Sequence, residues 1–539
     1  MTHSFLTLAC LLALCASGAA QIPDVAPAQV DVLDLSLEDA VAAFFANNLS
    51  VAGAELDAEA SFARYGVSWG AFDTVFFVNT LRNERISAPS PANIVGGTDL
   101  GRQPATENDF WNFNTGLTGQ FTSGTTWSLT AGPQWSRVQG GSIGPDFNDV
   151  DNDGDTTELI ETSFESTVNT GSATLSVTHP FLRGGANGFA RSALELAAKD
   201  VRLAEVELDT VAYTTLLEVI TQYWNLVFAL DDRATKELSV TLAEELLGIT
   251  QRKFDQGLQN RIDVIEVEAE VARREEELLT ADNSVLDAVD TLRKLVFAPE
   301  ELEDWQQPIQ PVSDYETVEQ ASLDEAAALA VALQERPDLK SARLALQRAE
   351  IELRRAKTGA LPRLDATASY GINSNEDTVG LALGRLDDTT YHDASLRLDF
   401  EVPLVNRSGG FTERQRRIER DRAGVNLRQT EVDAIADLRS AVRAVKLQRA
   451  RVEATAEEAR LRGEAYEGEQ RRLENDLSTP FAVRESQRDY LLALDTQTRA
   501  KLDLAVARTR LLAAQGTLLS SFGYQSRRTE LDLYSAPDL

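Results

Sequence analysis

From Ala186 to Gln256 the chain runs without a proline, and the stretch from Phe411 to Glu474 does the same. As single helices rising 1.5 Å per residue, each reaches roughly 100 Å. Compact domains use helices of three or four turns, so lengths like these exceed what a compact soluble domain uses and, without strands, would point to a fibrous coiled-coil rod. In the second stretch the apolar residues Val432, Ile435, Leu438, Val442 and Val445 recur at three- and four-residue steps, with Arg and Glu between them. So narrow a stripe suits coiled-coil packing rather than burial in a globular core.

Both stretches sit inside a duplication. Ser36-Leu37-Glu38-Asp39-Ala40 opens an Ala-rich helix that runs to about Gly70, and Ser322-Leu323-Asp324-Glu325-Ala326 opens another that runs to about Gly359. Each then turns to strand patterning, at Gly70-Ala71-Phe72-Asp73 and Gly359-Ala360-Leu361-Pro362. An alternating strand ends at Pro180-Phe181-Leu182 in one half and at Pro403-Leu404 in the other. Gly184-Gly185 and Gly409-Gly410 then precede the long helices. Each half reads helix, strands, long helix, turn, helix, and such self-similarity marks a repeated structural unit.

Alternation predicts four strands in the first half, near 73–85, 111–121, 125–137 and 166–179, and two between 361 and 403. Phe113, Thr115, Leu117, Gly119 and Phe121 share one face, as do Trp127, Leu129, Ala131, Pro133 and Trp135. In Ala394–Val402 the apolar face is Ala394, Leu396, Leu398, Phe400 and Val402, while Arg397, Asp399 and Glu401 lie opposite. A face with three charges meets water, so the strand is expected to divide lipid from an aqueous lumen. A soluble β-sandwich shows the same alternation.

Composition narrows the chemistry. The formal net charge is −33 over 539 residues, which argues against a nucleic-acid partner. Beyond the first turns no apolar run is long enough for a transmembrane helix, a limit that does not touch barrel strands. Phe5 to Ala16 reads as the apolar core of a signal peptide, with Gly18 and Ala20 at the cleavage site, although Met1 to Ser4 contains no Lys or Arg. Leu14 before Cys15 argues against lipidation. Once residues 1–20 are removed, no cysteine and only His179 and His392 remain, so a thiol nucleophile or a Cys/His zinc site is not expected. No catalytic residue and no cofactor are assigned.

Export, duplication, two strand clusters and helices of about 100 Å together resemble the TolC family of outer-membrane efflux channels. The most specific pieces are Tyr223-Trp224-Asn225-Leu226-Val227-Phe228-Ala229, Pro180-Phe181-Leu182-Arg183-Gly184, and Phe254-Asp255-Gln256-Gly257-Leu258 followed by Ile262-Asp263-Val264. The resemblance implies a mainly α fold with a transmembrane β-barrel. Three chains would share one barrel in the outer membrane of a Gram-negative-type bacterium, continued by a periplasmic α-barrel. The implied partners are a second and third copy, a periplasmic adaptor protein, an inner-membrane pump and outer-membrane lipid. Residues 21–35 form a linker, 36–297 the first repeat, 298–321 an equatorial connection, 322–522 the second repeat and 523–539 a tail.

The resemblance also places a constriction at the two helix–helix turns. The first keeps the family's Gly257, Leu258 and Asp263. In the second, Asp476 takes the glycine position, Ala482 the first acidic position and Glu485 the second. Leu473 and Ser478 stand where well-known members carry a latch tyrosine and arginine, so the latch must differ. Asp263 and Glu485, with Glu266, are the candidate constriction residues; solvated turn charges are the plainer alternative. Separately, Asp149, Asp151, Asp153 and Gly154 match the opening of a calcium loop, but Ile160 stands where the closing Glu belongs. Two functions follow: an exit duct for efflux or type I secretion, or a structural or adhesive surface protein of the same architecture.

Overall fold

The computed structural model describes residues 32–89, 94–95, 98–99, 104–145, 159–185, 189–297, 305–315, 324–386, 390–525 and 528–531. The expected signal segment 1–20 and the Asp149, Asp151 and Asp153 loop lie outside the described residues.

Each half begins with a helix pair. In the first, α1 (Leu37–Asn47) is capped by Ser36, whose side chain accepts from the Asp39 N–H, and Asn48 caps α2 (Leu49–Trp69). In the second, Asp324 caps α5 (Glu325–Glu335), and Pro337 opens α6 (Pro337–Gly359) where its missing N–H costs nothing. The long helices are α3 (Ser192–Asp255, 64 residues) and α8 (Arg407–Glu474, 68 residues). They are followed by α4 (Arg261–Val296) and α9 (Pro480–Gln515), then a single turn, α10 (Leu518–Ser521). A short helix, α7 (Val379–Gly384), was not anticipated from the sequence.

The helices form a ribbon. α3 packs against α2 and α4 and also against α6 and α9, and α8 packs against α6 and α9. Among the described residues, one flank of α8 and the outer flank of α2 and α4 are therefore without a neighbouring long helix. Phe411, Ile418, Val425 and Val432 follow at seven-residue steps along α8, each more than half exposed. Leu279 and Leu286 on α4 and Leu49 and Leu56 on α2 repeat that spacing and that exposure on the opposite flank. The stripe expected on α8 thus divides in two. Leu438, Val442 and Val445 are buried within the chain, whereas Val432 belongs to the free seam.

The equator explains the Tyr223-Trp224 motif. Both rings are fully buried in the largest core cluster. The Tyr223 hydroxyl donates to the Leu35 carbonyl at 2.9 Å and accepts from the Ser313 N–H at 3.1 Å. This clamps a parallel two-stranded ladder of β1 (Leu33–Leu35) and β8 (Ile309–Pro311) onto the helices. The linker assigned to 21–35 therefore ends in a strand.

Six strands form one antiparallel sheet. They are β2 (Val75–Ser87), β5 (Thr106–Gln120), β6 (Thr126–Pro145), β7 (Leu159–Pro180), β9 (Arg363–Glu376) and β10 (His392–Glu401), in the order β10-β9-β7-β6-β5-β2. Two-residue strands β3 (Ile94–Val95) and β4 (Thr98–Asp99) pair with each other between β2 and β5. The hairpin of β5 and β6 lies within the sheet, and the described sheet is open, with β2 and β10 at its edges.

Candidate functional site: the sheet's apolar belt and the helical tip

Strand register sorts the sheet's two faces. Ala394, Tyr370, Leu175, Leu129, Leu117 and Phe76 are directly paired across all six strands and form one apolar row. The neighbouring row, on the other face, is Ser395, Ser369, Ser176, Ser128, Thr118 and Val75. Every large side chain of the apolar row is more than a third exposed, which water would penalise and lipid would not. Trp127 stands toward one end of that face, and Trp135, directly opposite Trp111, toward the other. Eight residues at about 3.3 Å each separate Trp127 from Trp135, roughly 26 Å along the strand, which at the usual tilt of about 40° covers roughly 20 Å of height, most of a barrel's apolar band. His179 is an ordinary strand residue whose Nδ1 lies 2.7 Å from the Thr125 hydroxyl.

At the far end of the helices, the two turns are built alike. After α3, the Leu258 N–H donates to the Lys253 carbonyl at 2.9 Å and the Gly257 N–H to the Phe254 carbonyl at 2.8 Å. After α8, the Leu477 N–H donates to the Arg472 carbonyl at 2.8 Å and the Asp476 N–H to the Leu473 carbonyl at 3.1 Å. This paired pattern closes a helix with one left-handed residue. Gly257 has φ 77° and Asp476 φ 63°, so Asp476 occupies the glycine position as expected. Next, Asn260 and Asp263 form a capping box on α4, the Asp263 carboxylate accepting from the Asn260 N–H at 3.1 Å. Thr479 caps α9 by accepting from the Ala482 N–H. In this matched register Glu266 is the counterpart of Glu485, and Asp263 that of Ala482.

The three acidic candidates differ in engagement. Asp263 is half-buried and holds its cap. Glu266 meets Arg484 at 3.5 Å across α4 and α9, and Glu485 meets Arg488 at 3.7 Å within α9. Leu473 is fully buried with Leu246, Val267, Tyr466 and Val483, and Ser478 donates to Glu469. Neither the Leu473 nor the Ser478 side chain makes a polar bond between the two turns. That bond comes from Lys253, whose ammonium pairs with Asp476 and donates to the Leu473 backbone carbonyl at 2.6 Å. A cation there also suits the negative end of α8. Sequence reading missed Lys253; the only available signal was a lysine at the last turn of α3 facing an acid in a glycine position. Burial pushes the Tyr466 phenol up to about 12, with Glu245 and Tyr490 adding to it.

A sheet with one lipid-suited face and one hydroxylated face, standing on helices of about 100 Å, is the framework of an outer-membrane channel. The chain belongs to the outer membrane efflux protein family, whose profile matches residues 128–296 and 328–517. Outer membrane protein TolC of Escherichia coli K12 is 28% identical over 229 residues, a stretch covering 41% of this chain and 44% of TolC. The fold is similar to that of the Campylobacter jejuni CmeC outer membrane channel, with TM-score 0.61, 16% identity, and coverage of 92% of this chain and 87% of CmeC. It is also similar to VceC of Vibrio cholerae (TM-score 0.59, 13% identity, 89% and 96% covered). The open state of Neisseria gonorrhoeae MtrE gives TM-score 0.57 at 16% identity, with 92% and 94% covered.

Proposed function

We propose that this chain is an outer-membrane exit duct of a tripartite efflux or type I secretion system, passing solutes passively from the periplasm to the outside. The observation that carries this reading is the register of the six strands, which sorts lipid-suited and water-suited side chains onto opposite faces. An open sheet cannot stand in lipid, because its edges would leave backbone groups unpaired. Six is an even number, so β2 of one copy meets β10 of the next antiparallel, and the wall closes without a misfit. The free heptad seam of α8 and that of α2 and α4 lie on opposite flanks of the ribbon. Contact between unlike surfaces joins copies head to tail, which makes rings. Family membership supports three copies.

Asp263, Glu266 and Glu485 line a closed periplasmic constriction in this reading, and Lys253 with Asp476 holds it shut. Exposed Leu258 and Ile262 of the first turn, and their counterparts Leu477 and Phe481 of the second, give the tip an apolar rim for a periplasmic adaptor, itself coupled to an inner-membrane pump. Planar-bilayer recording on purified protein, paired with native mass spectrometry, tests the duct. Discrete pores from a three-chain species are expected; a stable monomer or an absence of pores would favour a structural surface protein.

A further inference from the structure

The two halves are unequal in strand number. Among the described residues, the second half gives the six-stranded sheet two strands between α6 and α8, β9 and β10, while the first gives it four between α2 and α3, β2, β5, β6 and β7. Flanking sequence matches the outermost strands: Gly70-Ala71-Phe72 leads into β2 as Gly359-Ala360-Leu361 leads into β9. Likewise β7 ends at Pro180 just before the run into α3, as β10 ends just before Pro403 and the run into α8. By this flanking sequence the first half has one hairpin, β5 and β6, more than the second.

We propose that this surplus hairpin is a wall-widening insert, so that three chains close an 18-stranded barrel with a broad water-filled mouth. The proposal rests on the trimeric duct argued above. Three six-stranded sheets give 18 strands, the size at which barrels enclose an aqueous channel rather than a plug of side chains. The hairpin continues both faces without a break. Leu117 and Leu129 extend the apolar row, and Thr118 and Ser128 extend the hydroxyl row, so the added wall has lipid on one side and water on the other. It is also neutral to parity. β2 and β7 run antiparallel, and Phe76 lies in the same row as Leu175, so removing β5 and β6 would bring two compatible edges together. The lumen face at the Ser395 row is hydroxyl-lined, with Ser369 and Ser395 2.7 Å apart and Thr178 and Thr367 3.0 Å apart one row on. A mouth this broad and polar suits bulky hydrated solutes and leaves selection to the helical tip.

The test compares the full chain with a variant lacking residues 104–145, each counted by native mass spectrometry. Polyethylene glycols of graded size are then added to the barrel side of single pores in planar bilayers. Barrel diameter grows about linearly with strand number, so the cut-off radius is expected to fall by about one third in the deletion. An unchanged cut-off in a trimeric deletion variant overturns the insert. Should the deletion not assemble, brominated lipid decides on the full chain: the quenchable tryptophan fraction should drop in the W111F/W135F variant, and an unchanged fraction overturns the proposal. A parent with another copy number, its hairpin tryptophans still quenched, would instead refute the trimer.

Discussion

Lys253 and Asp476, 223 residues apart in sequence, form an ion pair that ties the turn after α3 to the turn after α8. The ammonium is almost fully covered, while the carboxylate is largely exposed. The two turns of one chain are thus bound at the extreme end of the helices, beside the buried Leu473 cluster.

Lys253→Met keeps the aliphatic stem and removes the tie. Conductance of the resting pore in planar bilayers is expected to rise severalfold, with trimer content unchanged. Asp476→Asn keeps a residue tolerant of left-handed backbone and should raise conductance in the same direction. Parent-like conductance in both variants would detach the pair from closure.

Neutralising the acidic candidates should weaken cation preference. Rings of like charge concentrate counter-ions in a narrow passage. Glu266→Gln with Glu485→Gln removes the matched pair of positions. Adding Asp263→Asn leaves an oxygen that can still accept the Asn260 N–H, so the cap on α4 persists. The reversal potential across a salt gradient reads the effect, and identical values in parent and triple variant would place the constriction elsewhere.

Adjacent residues of β6 should respond in opposite ways to the same substitution. Leu129→Arg puts a cation on the lipid face and is expected to cost about 2–4 kcal/mol, whereas Ser128→Arg faces water and costs little. Urea-dependent folding into lipid vesicles measures both. A larger penalty for Ser128→Arg would mean that the faces have been assigned the wrong way round, and equal penalties that the sheet does not divide lipid from water.

Alkali should loosen the helical tip. Because burial raises the Tyr466 phenol to about 12, the neutral ring is favoured in the folded tip. Its stabilisation is complete below the ordinary tyrosine value near 10 and disappears as pH climbs to about 12. Amide exchange around Leu473 and Val483 should quicken across that window, and Tyr466→Phe should flatten the dependence. A slope unaffected by the substitution would assign the effect to another group.

Periodicity carried most of the architecture. Alternation along Trp127–Trp135 and Ala394–Val402 located strands, because a membrane wall imposes a period of two on every residue it contains. The turns were legible too: the parallel between Gly257 and Asp476 survives as the same pair of hydrogen bonds. What escaped notice lacks a period. β1 and β8 contribute three residues each, too few for a pattern, and α7 is barely more than one turn. The tie between Lys253 and Asp476 depends on how two distant helix ends meet in space. The α8 stripe was read as one surface because spacing does not say which neighbour each residue will meet.

In the proposed trimer the matched turns would also set the symmetry seen from the periplasm. Three chains with two turns apiece would present six nearly identical steps, but Asp263 caps the helix of one kind and Ala482 stands at the same place in the other. Ile262 alternates with Phe481 in the same fashion. In the proposed trimer the backbone would therefore repeat every sixty degrees and the charge only every hundred and twenty. A partner made of six equal subunits would find a geometric seat at every step and an electrostatic one at alternate steps, and so would bind in two distinguishable classes of contact.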